Sequence, residues 1–162
     1  MKLRVGFGFD VHPLEKGLDF WLGGIKVTAE KGAVGHSDAD VLIHAICDAL
    51  LGAANLGDIG IHFSNKDPRW KGKDSKYFLK EVTRMLTEKG WRIENVDCTL
   101  CLEEPKIKPY ISKMQQALAP VMNIPEEDVS IKATTNEKLG YVGRQDGVNA
   151  YAVALISKSQ GA

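Results

Sequence analysis

The sequence predicts an α+β protein, a single domain over residues 1–162 in which a mixed β-sheet is layered against three main helices. Segments with strand-like alternation and segments with helical periodicity occur in mixed order, without strict alternation. The length of 162 residues suits one domain, and 44% hydrophobic with 26% charged residues is typical of a globular chain. No internal repeat, low-complexity stretch or long linker divides the sequence.

The first predicted elements are short strands. Residues 2–9 are expected to form a strand in which Gly6 and Gly8 allow another backbone to approach closely. We interpret residues 10–17 as the end of this strand and a turn, and residues 19–27 as one or two further short strands.

Residues 38–56 form the clearest predicted helix. Apolar side chains recur at helical spacing at Val41, Leu42, Ala45, Ala49 and Ala53. Ser37 or Asp38 is expected to cap the first turn, and Gly57 to end the helix.

A long polar loop with Pro68 inside it is predicted for residues 58–72. An amphipathic helix over residues 74–89, ended by Gly90, and a third helix over residues 107–122 are predicted beyond it.

Three later strands complete the predicted sheet. Alternating or apolar runs indicate strands over residues 91–103, 129–135 and 148–157, with a glycine-rich turn region over residues 137–147. Cys98 and Cys101 fall in the first of these strands. Residues three apart on a strand face opposite sides, so we interpret both as buried thiols and not as a chelating pair.

Composition argues against several classes of protein. Twenty-one basic residues balance 21 acidic ones, and the zero net charge argues against bulk binding to nucleic acid. Three cysteines suit a reducing compartment, so we expect a cytoplasmic protein. Charges interrupt the first ten residues, so no signal peptide is predicted, and no run approaches the ~20 apolar residues of a membrane helix.

A candidate metal-binding pair lies where the first predicted strand ends. Asp10 and His12 are two residues apart, so on a strand their side chains point to one face. A carboxylate oxygen and an imidazole nitrogen are both good ligands for Zn²⁺. A turn aspartate beside a surface histidine gives the same pattern, and that alternative stays open for the pair alone.

The predicted helix over residues 38–56 offers a third ligand. Asp40, His44 and Asp48 lie on one face of it, although a solvated helix face would look the same. Together, Asp10, His12 and His44 would supply three ligands and leave a fourth position open, as at a catalytic zinc. Asp40 or Asp48 is then expected to hold an imidazole N–H.

A third candidate site is the run KATTNEKLG over residues 132–140. Its hydroxyls and turn N–H groups suit phosphate oxygens. Glu137 suits Mg²⁺, which prefers a few carboxylates together with substrate phosphates. Arg144 follows as a candidate phosphate clamp, and a polar hairpin turn is the alternative interpretation of the whole run.

These motifs together resemble a known family. The matching runs are residues 8–12 (GFDVH), 36–40 (HSDAD), 48–53 (DALLGA), 57–60 (GDIG) and 132–140 (KATTNEKLG), together with His44. In this order, and spread over nearly the whole chain, they are similar to the 2-C-methyl-D-erythritol 2,4-cyclodiphosphate synthase family.

The resemblance implies a phosphorus–oxygen lyase of the non-mevalonate route to isoprenoids. The substrate would be 4-diphosphocytidyl-2-C-methyl-D-erythritol 2-phosphate, whose 2-phosphate attacks the β-phosphorus of its own diphosphate and releases CMP. The attacking phosphate is already ionised near neutral pH, so no protein nucleophile is required. The protein would instead fold the substrate back on itself and neutralise its charge.

The resemblance also implies roles for individual residues. Asp10, His12 and His44 would bind Zn²⁺ or another divalent transition metal, and Glu137 would bind Mg²⁺ or Mn²⁺ together with the substrate phosphates. His36 and Thr135 would stabilise the transition state. The implied substrate-binding residues are Asp10, His12, His36, Ser37, Asp58, Gly60, Phe63, Asp67, Leu102, Pro105, Lys106, Ile107, Lys108, Thr134, Thr135, Glu137, Tyr141 and Arg144.

Assembly and location follow from the same resemblance. It implies a homotrimer with active sites shared between subunits, and a central apolar cavity that holds an isoprenoid diphosphate with Arg144 as phosphate partner. The compartment would be the bacterial cytoplasm, or a plastid-type stroma if a transit peptide was removed. Two other functions stay open: a metal-dependent nucleotide diphosphohydrolase with water as nucleophile, and a zinc-stabilised trimer that only binds isoprenoid diphosphates.

Overall fold

A mixed five-stranded sheet, a two-stranded hairpin and three long helices make up residues 1–159, the part of the chain that this computed structural model describes. The strands are β1 (Lys2–Lys16), β2 (Phe20–Leu22), β3 (Ile25–Val27), β4 (Lys31–Ala33), β5 (Arg92–Cys101), β6 (Val129–Thr134) and β7 (Gly147–Lys158). The helices are α1 (Val41–Ala54), α2 (Ile59–His62), α3 (Ser75–Glu88), α4 (Ile111–Met122) and α5 (Gly140–Gly143). The predicted α+β fold with a mixed sheet is confirmed.

The main sheet has the strand order β4-β1-β7-β5-β6. β1 pairs antiparallel with β7, from Lys2 opposite Lys158 to Pro13 opposite Gly147. β7 pairs antiparallel with β5, whereas β5 and β6 are parallel and are joined by a crossover that contains α4. The carboxyl ends of β5 and β6 therefore lie at the same end of the sheet as the second half of β1.

Helix α1 packs on β1 so closely that two positions of the strand have no room for a side chain. A Cβ atom added at Gly6 would lie 1.9 Å from the carbonyl oxygen of Ala49, and one added at Gly8 would lie 1.9 Å from that of Ala45. The predicted close backbone approach at both glycines is confirmed. On the neighbouring strand β7, the side chains that face the core are small and buried: Ala150, Ala152 and Ala154.

We expect Gly8→Ala to lower the free energy of unfolding by about 2–3 kcal/mol, because its methyl group would overlap the backbone of α1. Gly52→Ala is the matched control. Gly52 lies in α1, and a Cβ atom there meets nothing within 4 Å, so this change should stabilise the chain by about 0.5–1 kcal/mol. Urea denaturation measures both variants, and a Gly8→Ala chain as stable as the parent would contradict the packing.

The opposite face of β1 and β7 carries large apolar side chains that stay exposed. Leu3, Val5 and Phe7 on β1 are 57%, 68% and 63% exposed, and Tyr151 and Val153 on β7 are 38% and 42% exposed. We call these five residues the exposed strand face. Alternate residues of a strand point to the same side, so the five form one patch across two paired strands. An apolar patch of this kind is typical of a protein–protein interface.

Strand β1 is longer than predicted. Residues 10–17 were predicted as a strand end and a turn, but the strand continues to Lys16. Its last three residues pair with β4, a short strand that the sequence analysis missed. Neither segment alternates enough by itself to indicate a strand, so the pairing of one with the other is what extends β1. The short strands predicted within residues 19–27 are the hairpin of β2 and β3.

Helix α1 starts and stops at other residues than predicted. It begins at Val41, and its N-cap is Asp40, whose carboxylate accepts a hydrogen bond from the backbone N–H of Ile43 at 3.1 Å. The predicted cap at Ser37 or Asp38 is therefore wrong. The helix ends before Asn55, which takes the left-handed conformation at φ 58°, so Gly57 is not its stop.

Two predicted loops contain short helices. The polar loop over residues 58–72 includes α2 and a 3₁₀ turn at Pro68–Trp70, and the turn region over residues 137–147 includes α5. Helix α3 and the three later strands lie within two residues of their predicted bounds. No helix within residues 1–159 combines the length and the apolar character needed to cross a membrane.

Candidate active site

Asp10, His12 and His44 converge on one point. β1 carries Asp10 and His12, and α1 carries His44. Asp10 Oδ2 lies 2.9 Å from His12 Nε2 and 3.0 Å from His44 Nδ1, and these two nitrogens are 3.2 Å apart. One ligand atom from each residue lies within 4.8 Å of the others, so a single metal ion can reach all three. The predicted convergence of these residues is confirmed, and we call them the Asp-His-His cluster.

The far nitrogen of each imidazole has its own hydrogen-bond partner. His12 Nδ1 donates to the carbonyl oxygen of Val34 at 2.9 Å, which leaves Nε2 of the neutral ring with its lone pair towards Asp10. His44 Nε2 lies 2.9 Å from the hydroxyl oxygen of Ser75. Histidines that bind metals are typically held in this way.

Charge and burial have opposite effects on the pKa values of Asp10 and His12. Burial alone would raise the pKa of Asp10, but hydrogen bonds from His12 and His44 and their positive charge outweigh it and lower the pKa to about 2. Burial would lower the pKa of His12, but the hydrogen bond to Asp10 and its charge raise it above 6.5. Asp10 is therefore an anion at neutral pH, while a proton competes with a metal ion for His12.

Without metal, the chain should lose stability as the pH rises past neutrality. The pKa of His12 is higher in the folded chain than the ordinary 6.5, so its contribution is full below pH 6.5 and is lost as the pH rises through the folded value. Asp10 acts in another range: its contribution is present above pH 3.8 and is lost as the pH falls to about 2.

Urea denaturation of chelator-treated protein between about pH 6 and 8.5 measures the effect of His12. The His12→Gln variant lacks the titrating group and should show a flatter dependence of unfolding free energy on pH. The same slope in both proteins would contradict the assignment to His12.

Asp40 and Asp48 do not hold an imidazole, so that prediction is wrong. Besides capping α1, the buried Asp40 carboxylate accepts hydrogen bonds from the backbone N–H groups of Gly23 at 2.9 Å and Gly24 at 2.7 Å. Asp48 Oδ1 accepts from the backbone N–H of Ile59 at 2.8 Å. The two carboxylates instead hydrogen-bond the β2–β3 turn and the start of α2 to helix α1.

A cleft of about 380 Å³ opens beside the cluster. The lining residues are His12, Gly35, His36, Ser37, His44, Ile59, Gly60, Phe63, Ser64, Asn65, Trp70 and Phe78. The cleft thus gathers five of the predicted substrate-binding residues, His12, His36, Ser37, Gly60 and Phe63. His36 Nε2 donates to the carbonyl oxygen of Asp67 at 3.0 Å, which fixes its ring at the wall.

Asp58 and Asp67 are outside the residues that line this cleft. Asp58 is exposed, and its Oδ1 accepts from the backbone N–H of Ile61 at 3.0 Å as the cap of α2. Asp67 is bound to Arg69, whose guanidinium nitrogen lies 2.6 Å from Asp67 Oδ2. Asp58 keeps carboxylate lone pairs for a ligand hydroxyl, whereas the Asp67 carboxylate is largely engaged with Arg69.

A second pocket of about 530 Å³ lies at the carboxyl ends of β5 and β6. Its lining residues are Leu102, Glu103, Pro105, Lys106, Ile107, Lys108, Ile111, Ile131, Lys132, Ala133, Thr134 and Thr135. Seven predicted substrate-binding residues are among them: Leu102, Pro105, Lys106, Ile107, Lys108, Thr134 and Thr135. Apolar walls with lysines and hydroxyls suit a flat ring attached to phosphates.

The turn that bears Glu137 is held by a residue whose role sequence reasoning missed. Glu103 Oε1 accepts hydrogen bonds from the backbone N–H groups of Asn136 at 2.9 Å and Lys138 at 3.2 Å. Glu137 and Lys138 have φ angles of 52° and 61°, in the left-handed region. The exposed Glu137 carboxylate lies 3.4 Å from the Thr135 hydroxyl. No local pattern indicated this contact, because Glu103 is over 30 residues away in sequence.

Tyr141 and Arg144 lie in neither set of lining residues. Tyr141 is on α5 and is 41% exposed, with its ring beside Gly147. Arg144 is exposed, and its Nε donates to Asp146 Oδ2 at 2.9 Å. Within residues 1–159, neither side chain forms a hydrogen bond with a member of the Asp-His-His cluster.

Within one chain the cluster and the second pocket are apart. Asp10 on β1 is opposite Ala150 on β7, which is opposite Leu100 on β5, which in turn is opposite Ala133 on β6. Three strand spacings of ~4.8 Å separate the outer two strands by about 14 Å. The two sites share one end of the sheet without forming a single cavity.

This fold and site define an α+β protein with a candidate metal centre in a cleft between a strand and a helix. The chain belongs to the YgbB family, whose model matches residues 3–157. A relative from Cytophaga hutchinsonii, named 2-C-methyl-D-erythritol 2,4-cyclodiphosphate synthase, is 68% identical over 98% of this chain and 99% of its own length. One from Bacteroides fragilis with the same name is 57% identical over 98% and 99%.

Solved structures agree with these relatives. A structure titled as the CDP-bound form of 2C-methyl-D-erythritol-2,4-cyclodiphosphate synthase is 36% identical, with a TM-score of 0.88 over 95% of this chain and 100% of that one. The bifunctional IspDF from Campylobacter jejuni is 34% identical, with a TM-score of 0.94 over 98% of this chain and 43% of that one. The resemblance to enzymes named cyclodiphosphate synthases is confirmed.

Proposed function

We propose that this chain, acting as one domain over residues 1–162, converts 4-diphosphocytidyl-2-C-methyl-D-erythritol 2-phosphate to 2-C-methyl-D-erythritol 2,4-cyclodiphosphate and CMP. The 2-phosphate oxygen forms a bond to the β-phosphorus, and the bond from that phosphorus to the oxygen bridging it to the α-phosphorus breaks. That oxygen leaves with CMP. The observation that carries the proposal is the Asp-His-His cluster, found in a cleft of a chain that belongs to this family.

The cluster fits a divalent metal ion of the zinc type. Asp10 supplies an anionic oxygen and His12 a nitrogen whose lone pair faces the cluster, and the three side chains keep 26%, 16% and 13% exposure for Asp10, His12 and His44. Three protein ligands with solvent access leave a place for a phosphate oxygen. When bound, the metal would stabilise negative charge on phosphoryl oxygens. Glu137, exposed on its turn, would hold Mg²⁺ or Mn²⁺ together with the diphosphate.

His36 and Thr135 are the proposed catalytic residues. Because His36 Nε2 donates to the Asp67 carbonyl oxygen, its Nδ1 is the nitrogen free to face a substrate phosphate. Donation from Nδ1 as well requires the doubly protonated ring, which would also oppose the charge that develops on the phosphoryl group. The Thr135 hydroxyl, beside Glu137, would donate to the diphosphate.

Substrate binding is divided between the two pockets. Ser37, Gly60, Phe63 and Asp58 would bind the erythritol part, with the backbone at Asp67 fixing His36. The second pocket, from Leu102 to Lys108 with Thr134, would hold the cytidine. A relative's structure is titled as a CDP-bound form, which supports a ligand of the cytidine diphosphate type. Tyr141 and Arg144 would lie near the phosphates. Orientation of this kind can supply up to ~7–11 kcal/mol of barrier reduction.

A homotrimer with shared active sites is part of the proposal. Strand β1, which carries two members of the cluster, and strand β6, which borders the second pocket, are about 14 Å apart in one chain, so a neighbouring subunit would supply the second half of each site. The exposed strand face is the apolar surface that assembly would cover. Around the three-fold axis it would also line a cavity for an isoprenoid diphosphate, with Arg144 as phosphate partner. The location would be the cytoplasm, or a plastid stroma.

Phosphorus NMR tests the reaction directly. Purified protein with Zn²⁺, Mg²⁺ and the cytidine diphosphate substrate should form a cyclic diphosphate and CMP in equal amounts. Linear monophosphates would instead identify a diphosphohydrolase. A folded, zinc-loaded protein without turnover would contradict the enzyme assignment and favour a trimer that only binds isoprenoid diphosphates.

A further inference from the structure

Two serine hydroxyls lie beside His44 Nε2, the ring nitrogen that faces away from Asp10 and His12. His44 Nε2 lies 2.9 Å from Ser75 Oγ and 3.3 Å from Ser37 Oγ, while Nδ1 faces Asp10. Ser75 is fully buried at the first turn of α3, 31 residues away in sequence. The proposed reaction assigns it no part.

Ser75 is bound at two points to Asp38. The Ser75 backbone N–H donates to Asp38 Oδ2 at 2.8 Å, and the Ser75 hydroxyl donates to Asp38 Oδ1. A serine hydroxyl has one hydrogen, and an ionised carboxylate can only accept. The Ser75 oxygen is therefore an acceptor for a hydrogen on His44 Nε2, and a neutral ring with its hydrogen there has the Nδ1 lone pair free for a metal ion. In the metal-free chain the Asp10 carboxylate, 3.0 Å from Nδ1, competes for the same hydrogen.

The segment around Asp38 is itself fixed to the start of α3. The backbone N–H of Gly72 donates to the His36 carbonyl oxygen at 2.8 Å, and that of Asp38 donates to the Lys73 carbonyl oxygen at 3.1 Å. Ser37 is a weaker partner for His44, because its contact is longer and its oxygen also accepts from the Ala39 N–H at 3.3 Å.

We infer that Asp38 and Ser75 are positioning residues that favour the Nε2–H tautomer of His44 against the attraction of Asp10 and so raise the metal affinity of the Asp-His-His cluster. The inference rests on the proposed function for the identity of the metal. Partners of metal-binding histidines typically change metal affinity about 10–100-fold when removed. Within residues 1–159, the contacts of Asp38 and Ser75 reach the cluster only at His44 Nε2, so they act on the metal site through His44.

We call the chain of hydrogen bonds from His44 Nε2 through the Ser75 hydroxyl to the Asp38 carboxylate the relay. Asp38→Asn is the sharpest test, because it keeps the size of the side chain and reverses the direction of these hydrogen bonds. An asparagine that accepts from the Ser75 N–H presents its NH₂ group to the Ser75 hydroxyl. The hydroxyl must then donate to His44 Nε2, and the imidazole hydrogen moves to Nδ1. Nitrogen-15 NMR of metal-free protein at a pH where His44 is neutral should show a smaller Nε2–H population than in the parent. Zinc affinity, measured by chelator competition, should fall about 10–100-fold.

Ser75→Ala should leave a mixture of His44 tautomers and a similar loss of zinc affinity, while Ser75→Thr retains the hydroxyl and should recover both. Ser64→Ala is the matched control: this serine lines the same cleft, but its hydroxyl accepts from the Lys66 backbone N–H and not from His44, so the parent tautomer and zinc affinity are expected. Circular dichroism checks that each variant is folded. Two results would overturn the inference. In the first, both Asp38→Asn and Ser75→Ala keep the parent tautomer of His44 and the parent zinc affinity. In the second, the tautomer of His44 changes but the zinc affinity does not. If the parent protein binds no zinc, the proposed function fails, while the tautomer measurement still tests the relay.

Discussion

Replacing His44 by alanine is expected to remove bound zinc and to lower turnover about 10³-fold or more, with the chain still folded. Several kcal/mol of transition-state stabilisation depend on a bound metal, and each 1.4 kcal/mol corresponds to about tenfold in rate. The His44 side chain borders a cleft, so its loss opens space to water and creates no sealed cavity in the core. Zinc content, circular dichroism and phosphorus NMR measure the three parts of this expectation.

His62→Ala is the control for loss of any histidine. Its Nε2 donates to the Leu56 carbonyl oxygen at 2.8 Å, and the residue is in neither the cluster nor the lining of the cleft. This variant should keep its zinc. Unfolding of the His44→Ala chain would instead support a zinc that stabilises the fold, and parent turnover would show that the cluster is not catalytic.

Features that depend on local pattern could be predicted from the sequence. Alternation two residues apart placed Asp10 and His12 on one face. Helix α3 and strand β6 followed from periodicity within a few residues. Each of these features depends on side chains that are close in sequence, so a single window contains the information.

Features that depend on distant partners could not be predicted. Asp38 looked like the helix cap, but Asp40 takes that place because the backbone of the β2–β3 hairpin offers it two further N–H donors. Asp38 is thereby left to bind Ser75, 37 residues away. The extension of β1 likewise needs β4 beside it. No sequence window includes both partners of these contacts.

If each active site is shared between two subunits, damaged subunits of two kinds can complement each other. We expect two inactive variants to restore activity when they assemble together: His44→Ala, which lacks a metal ligand, and Ala133→Trp, which fills the second pocket. Ala133 is exposed at that pocket, so the added ring should lie in the pocket and leave the fold intact. If each site combines the cluster of one subunit with the pocket of its neighbour, a mixed trimer contains one site with both halves unaltered.

The size of the recovery distinguishes shared sites from sites within one chain. Random assembly of equal amounts makes about three quarters of the trimers mixed, each with one intact site of three, so about a quarter of parent activity should return. The recovered activity is measured after the two variant chains are refolded together, and light scattering establishes that trimers have formed. Each variant refolded alone is the control. Sites contained in single chains would give no recovery, because every chain would then carry a damaged half. The separation of about 14 Å across β7 and β5 is the reason to expect the shared arrangement.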